Sequence, residues 1–207
     1  VSLPPDADPG QAGAMKEDLL RRLRSLRADL RSKLDGLDEY QVRRPLTPTG
    51  SNLLGLVKHV ASVELGYFTG VFGRDPGREL PWYAAEAEDD ADLWVPAEES
   101  RQSVIELHEY SARRSDETIA ELALDAPGVV PWWPEERRRV TLHQVFVHVL
   151  IETARHAGHA DILRELLDGR AGMGPGDANL TPRSGPEWES HVARVEAAAR
   201  AAAGTDA

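Results

Sequence analysis

TLHQVFVHVLIETARHAGHADILRELLDG, residues 141–169, is the stretch from which the fold can be read outward. Thr141 and Gln144 match a T-x-x-Q capping box, and Asp168-Gly169 is a common stop, so the segment reads as one long helix. Each helical residue advances about 100° around the axis. Val145, Val149, Leu163 and Leu167 then mark the buried direction, and Glu152 falls inside that arc, with His156 on one side and His148 and His159 on the other. These four polar residues form a seam at spacings of four, four and three, and no Lys or Arg shares the arc. A lone carboxylate moved into a helical interior costs several kcal/mol unless it is paired or ligates a cation. The seam therefore asks for a positive charge that the helix does not supply.

Glu-x-x-x-His sets two side chains one turn apart on one face, which suits two neighbouring ligands on one metal ion. His59, on an earlier helix, is the expected third ligand. Two imidazoles and a carboxylate match a catalytic zinc set and equally a facial-triad iron set, with an open position for water or substrate. The plainer reading of Glu152 and His156 is a hydrogen-bonded network. His108, His143 and His191 are read as ordinary core or surface residues, and Arg155 points away from the metal arc.

The rest of the chain reads as further helices. A first helix is expected over residues 14–35, where Leu19, Leu23, Leu26, Leu30 and Leu34 recur at spacings of three and four. A second is expected over 52–72, with His59 beside its apolar stripe. A long irregular stretch follows over 73–95, of a length that is often functional. Pro96 is expected to open a third helix, which a link over 125–139 joins to the fourth. Residues 170–184 read as a loop, and Pro186 starts a short Ala-rich helix reaching Ala203. No strand alternation and no internal repeat is found. The expectation is an all-α bundle, with 1–13 a disordered tail, 14–183 the metal-binding domain and 184–207 a C-terminal helix and tail.

Composition narrows the partners. The 207 residues suffice for one domain with a full core. A net charge of −11 argues against nucleic acid or an anionic membrane as main partner, because both need a surplus of Lys and Arg. No apolar run is long enough to span a bilayer or act as a secretory signal. Cysteine is absent, so any thiol chemistry must use a partner's sulfur, and a cytoplasmic location is expected. Trp82, Trp94, Trp132, Trp133 and Trp188 lie in or beside loops, where they either wall a pocket or cover helix ends.

NLLGLVKHVASVELGYF (52–68), PWWP (131–134) and above all HVLIETARHAGHADILRELLDG (148–169) resemble the DinB superfamily, in its actinobacterial branch, over roughly residues 15–180. The resemblance implies a four-helix bundle in up-down-down-up order, often a homodimer, with a divalent metal at one end. Many relatives carry three histidines; the matching positions here are His59, Glu152 and His156, so Glu replaces one of them. That set is similar to the one in mycothiol-dependent maleylpyruvate isomerases, and other relatives are bacillithiol- and mycothiol-dependent transferases. The implied chemistry is a metal, zinc first with nickel or iron as alternatives, that binds a low-molecular-weight thiol such as mycothiol and delivers its thiolate to an electrophile. His148 and His159 are expected to stand behind the ligands or to touch substrate. The isomerases carry a further C-terminal domain, for which the residues after Gly185 are too few. The leading expectation is thus a metal-dependent thiol S-transferase acting on a small electrophile in detoxification. The alternatives are a metal-dependent hydrolase and a non-enzymatic, stress-linked binding or dimerisation module.

Overall fold

A computed structural model describes residues 9–174 and 177–204, and its described residues are mostly helical. The chain divides into two units, 1–174 and 175–207. In the first, α1 (Pro9–Ser32), α3 (Leu53–Phe68), α4 (Arg101–Glu121) and α5 (Leu142–Asp168) are the long helices, and α2 (Glu39–Arg43) is a single short turn. α3 packs on α4 and α5, while α1 packs on α5 and α4. The second unit carries α6 (Gly185–Ala203), opened by a capping box between Ser184 and Glu187. No helix among the described residues is long and apolar enough to cross a membrane.

Each long helix follows from its residues. α3 is apolar nearly all round and sits among its neighbours, with Leu53, Leu54, Val57, Leu65 and Phe68 fully buried. Asn52 caps it by accepting from the Gly55 N–H at 2.7 Å. Ser100 caps α4 in the same way, through the Ser103 N–H. The Thr141–Gln144 capping box opens α5, and Gly169, at φ +76°, ends it. On α5 the buried stripe runs through Leu142, Val145, Phe146, Val149, Thr153, Ala157, Ala160, Leu163 and Arg164. α1 contributes Leu23 and Leu30, together with the buried Arg27.

Several boundaries differ from the sequence reading. Helix α1 already includes residues 9–13, where a tail was expected, while 1–8 lie outside the described residues. It ends at Ser32, and Leu34 and Leu37 are buried from the turn that follows. α3 ends at Phe68, and Gly70–Phe72 continues as a 3₁₀ turn. α4 starts at Arg101 rather than Pro96, because Ser100 supplies the cap that Pro96 cannot.

The expectation of no strands needs a further correction. β1 (Pro127–Val129) pairs antiparallel with β2 (Arg139–Thr141), matching Gly128 with Val140. Three-residue strands are too short to show alternation. Gly128 is needed where it stands: a Cβ there would lie 2.8 Å from the Phe72 ring and 2.9 Å from Val71. The pair closes the connection that carries Trp132 and Trp133.

Candidate metal centre

His59 comes from α3, and Glu152 and His156 come from successive turns of α5. The fold brings the three together. Glu152 Oε1 lies 3.4 Å from His59 Nε2 and 3.0 Å from His156 Nε2, and the two imidazole rings meet edge to face with centroids 4.8 Å apart. One ligand atom from each residue falls within 4.8 Å of the others. Tetrahedral zinc with bonds near 2.0–2.1 Å needs ligand atoms about 3.3 Å apart, so two of the three edges already match. The seam is not in the middle of the core face, as the helical arc suggested. It borders the buried stripe, leaving Glu152 28% exposed and His59 18% exposed. A site at that border is reached by solvent.

The charge balance fits a cation. Among the described residues no Lys or Arg forms an ion pair with Glu152; its partners are the two imidazoles. One correction concerns α5 itself. Arg164 is buried on this helix, yet it is spent elsewhere, donating to the Lys33 and Asp35 carbonyls and to Asp168. Burial opposes ionisation of Glu152, but the hydrogen bond from His59 and the charge of His156 outweigh it and hold its pKa below the ordinary carboxylate value. For His156, burial and the neighbouring charge of His59 lower the pKa.

Asp92 completes the arrangement, and sequence reasoning missed it. Its Oδ2 lies 2.6 Å from His59 Nδ1 and also accepts from the Tyr83 hydroxyl at 3.2 Å. Burial works against an ionised Asp92, but its bond and charge interaction with His59 prevail and lower its pKa. An ionised carboxylate can only accept, so Nδ1 of His59 carries a proton and Nε2 faces Glu152. A carboxylate behind the distal nitrogen of a ligating histidine is the usual way to fix its ring and tautomer. Burial disfavours the His59 imidazolium, yet Asp92, helped by Glu152, raises its pKa above the ordinary histidine value. Without a metal, and below that raised pKa, the His59 imidazolium is the cation that Glu152 faces.

The loop that delivers Asp92 is tied to α3. Lys58 is buried and donates to the Ala91 and Trp94 carbonyls and to Glu99, with its ammonium 4.0 Å from the Trp82 ring centroid. Asn52 donates to the Leu93 carbonyl, and Trp82 Nε1 donates to Ser62. Arg43 on α2 holds the far end through the Val95, Pro96 and Glu99 carbonyls. Leu93 comes so close that a Cβ on Gly55 would lie 1.9 Å from its carbonyl oxygen, so only glycine fits there. The signal in the sequence was weak. An Asp within a loop has no period, and only its place in a long stretch bound to the His59 helix could have marked it.

The remaining candidates separate. His159 is exposed on α5 with Nδ1 3.4 Å from His156 Nδ1. His148 stands apart from the cluster, packed between Tyr67 and Trp133 with ring centroids 4.8 and 5.1 Å away. Burial lowers its pKa against the opposing pull of Glu152. Trp132 and Trp133 both donate to the Tyr67 hydroxyl, at 3.3 and 3.0 Å. Those two and Trp82 therefore gather along α3, whereas Trp94 is exposed and Trp188 belongs to α6. His108 is buried on α4, where burial and the charges of Arg27 and Arg31 lower its pKa to about 4.

A family model described as Mycothiol-S-transferase matches residues 18–169, from within α1 to the end of α5. No curated protein matches the chain.

Proposed function

The chain belongs to the mycothiol S-transferase family, and from that membership we propose that it is a metal-dependent transferase moving a mycothiol-type thiol onto a small electrophile. The observation that carries the reading is the convergence of His59, Glu152 and His156, with no Arg or Lys paired to Glu152 among the described residues. The same reading takes α1, α3, α4 and α5 as a four-helix bundle in up-down-down-up order. His59, Glu152 and His156 would hold a divalent metal, zinc first, through two imidazoles and one carboxylate, a set that iron also accepts. When bound, the metal supplies the Lewis acidity that lowers a thiol's pKa toward neutrality.

The chain's own groups do the rest. Asp92 keeps the proton on His59 Nδ1 and so leaves Nε2 free to ligate. Glu152, held ionised, supplies the one negative charge among the three ligands. With His156 ligating through Nε2, its Nδ1 carries a proton and donates toward His159 Nδ1, 3.4 Å away. That contact holds the His156 ring, and the thiol proton leaves to solvent at this partly exposed site. In the overall step the S–H bond breaks, a sulfur–carbon bond forms on the electrophile, and the leaving group departs with the electron pair of its old bond. The missing cysteine is consistent with a borrowed sulfur.

The test is conjugation of monochlorobimane by metal-loaded protein with and without mycothiol. The expected result is turnover that requires the thiol and disappears in Glu152→Gln. Turnover that proceeds without thiol would replace this reading with a metal-dependent hydrolase.

A further inference from the structure

The candidate ligands use only part of the face they share. His59, Ser62, Val63, Gly66 and Tyr67 follow one another along α3 at spacings of three and four or one, so they lie on one side of the helix. The last four of these, with Tyr83 and Trp132, line a pocket of about 490 Å³. That volume lies within the usual range for small-molecule sites. The pocket is joined to the candidate centre through Tyr83, which donates to Asp92, the residue that holds His59.

The lining decides what fits. No Lys, Arg, Asp or Glu is among the six residues. Most of their polar atoms are engaged: Ser62 accepts from Trp82 and donates to the Lys58 carbonyl, Tyr67 accepts from two indoles, and Tyr83 donates to Asp92. What remains on offer is ring faces, the Val63 side chain and the neutral Tyr67 O–H. Gly66 keeps the floor low, since a Cβ there would sit 4.0 Å from the Trp132 ring. Alanine would be accommodated at that position, whereas a leucine would fill the pocket. Arg78 lines an adjoining groove, where its guanidinium lies over the Tyr110 ring with 4.6 Å to the centroid.

We propose that this pocket is the acceptor subsite and that it takes neutral, apolar electrophiles bearing an aromatic ring, not carboxylate-bearing acceptors and not the sugar-rich part of the thiol. The word acceptor rests on the transferase reading; the preference for uncharged rings rests on the lining alone. A carboxylate brought into the pocket would lose water and meet no cation, while a flat apolar ring would meet Tyr67, Tyr83 and Trp132.

The experiment is a calorimetric or ligand-observed NMR titration of the protein as purified with methyl 4-chlorobenzoate and with 4-chlorobenzoate, which share a ring and differ in charge. The ester is expected to bind about tenfold tighter than the acid, and Gly66→Leu to weaken the ester about tenfold. Trp132→Phe, which keeps a ring in place, should retain the ester within about threefold, and Trp132→Ala should not. Equal or tighter binding of the acid would overturn the proposal. So would unchanged ester affinity in both Gly66→Leu and Trp132→Ala, or displacement of the ester by mycothiol. Because no step in this titration requires turnover, an inactive protein that still prefers the ester would keep the pocket and sink only the transferase reading.

Discussion

Glu64 on α3 and Glu152 on α5 both turn toward neighbouring helices, and their partners differ in kind. Glu64 is 2% exposed and grips Arg27 at both oxygens, at 2.6 and 3.0 Å; Arg27 also reaches Asp116 at 2.7 Å. Its charge is matched by a cation that cannot leave. Glu152 is 28% exposed and pairs, among the described residues, with imidazoles, whose positive charge comes and goes with a proton. The first arrangement is closed and structural. The second is open, and a divalent ion can replace the proton that balances it.

This contrast yields the largest expected effect. Arg27→Met leaves Glu64 buried without its partner and should cost about 3–5 kcal/mol in urea denaturation. In metal-free protein, Glu152→Gln should cost less than about 1 kcal/mol, because the site is partly solvated. Similar losses at the two positions would erase the distinction.

For metal affinity the order reverses. Glu152→Gln should weaken zinc binding about 100-fold, or about 2.7 kcal/mol, in competition with a chromophoric chelator. Below that, Asp92→Asn should weaken it about tenfold by releasing the His59 ring. Gly55→Ala should give a comparable loss through a different cause: its Cβ would collide with the Leu93 carbonyl and push away the loop carrying Asp92. Full zinc affinity in both variants would mean that Asp92 does not position His59.

The smallest effect is a pH dependence of opposite sign for stability and binding. His59 has a folded pKa raised above 6.5, so its contribution to metal-free stability is fully present below about that value and is lost as pH rises through the raised pKa. Zinc needs the neutral ring, so zinc affinity should increase over the same window. Comparing wild type with His59→Gln in chelator removes the contribution of His148, whose lowered pKa pushes stability the other way, and reports His59 together with its coupling to His156. The stability difference between the two proteins should shrink with rising pH, by less than about 1 kcal/mol. A difference that grows would contradict the assigned charge on His59.

Much of this was legible in the residues. The leucine and valine periods located four long helices, and the Thr141–Gln144 box and Gly169 bounded α5 closely. Spacing on one helix placed Glu152 beside His156, and the choice of His59 as their partner agrees with the observed proximity. What escaped had physical reasons. Arg27, Lys33, Lys58 and Arg164 are buried, whereas a cation on a helix ordinarily reads as solvent-facing. Apart from Asp168, one turn beyond Arg164, their partners are distant carboxylates and loop carbonyls that no local period reveals. Asp92 was hidden because its place depends on Gly55 and Lys58 docking its loop. The β1–β2 pair was hidden by its brevity. The position of Glu152 was misjudged because four apolar positions fix a helix's buried direction only coarsely, and one position of rotation separates the stripe's centre from its border.

The central claim is that the imidazole-bound carboxylate at Glu152 is completed by a divalent ion. Calorimetric titration of metal-stripped protein with zinc tests it most directly, with Glu152→Gln run beside the wild type. The account predicts one zinc per chain, proton release on binding, and an affinity about 100-fold lower in the variant. Less than about a tenth of an equivalent bound at saturation, or equal affinities for the two proteins, would contradict it.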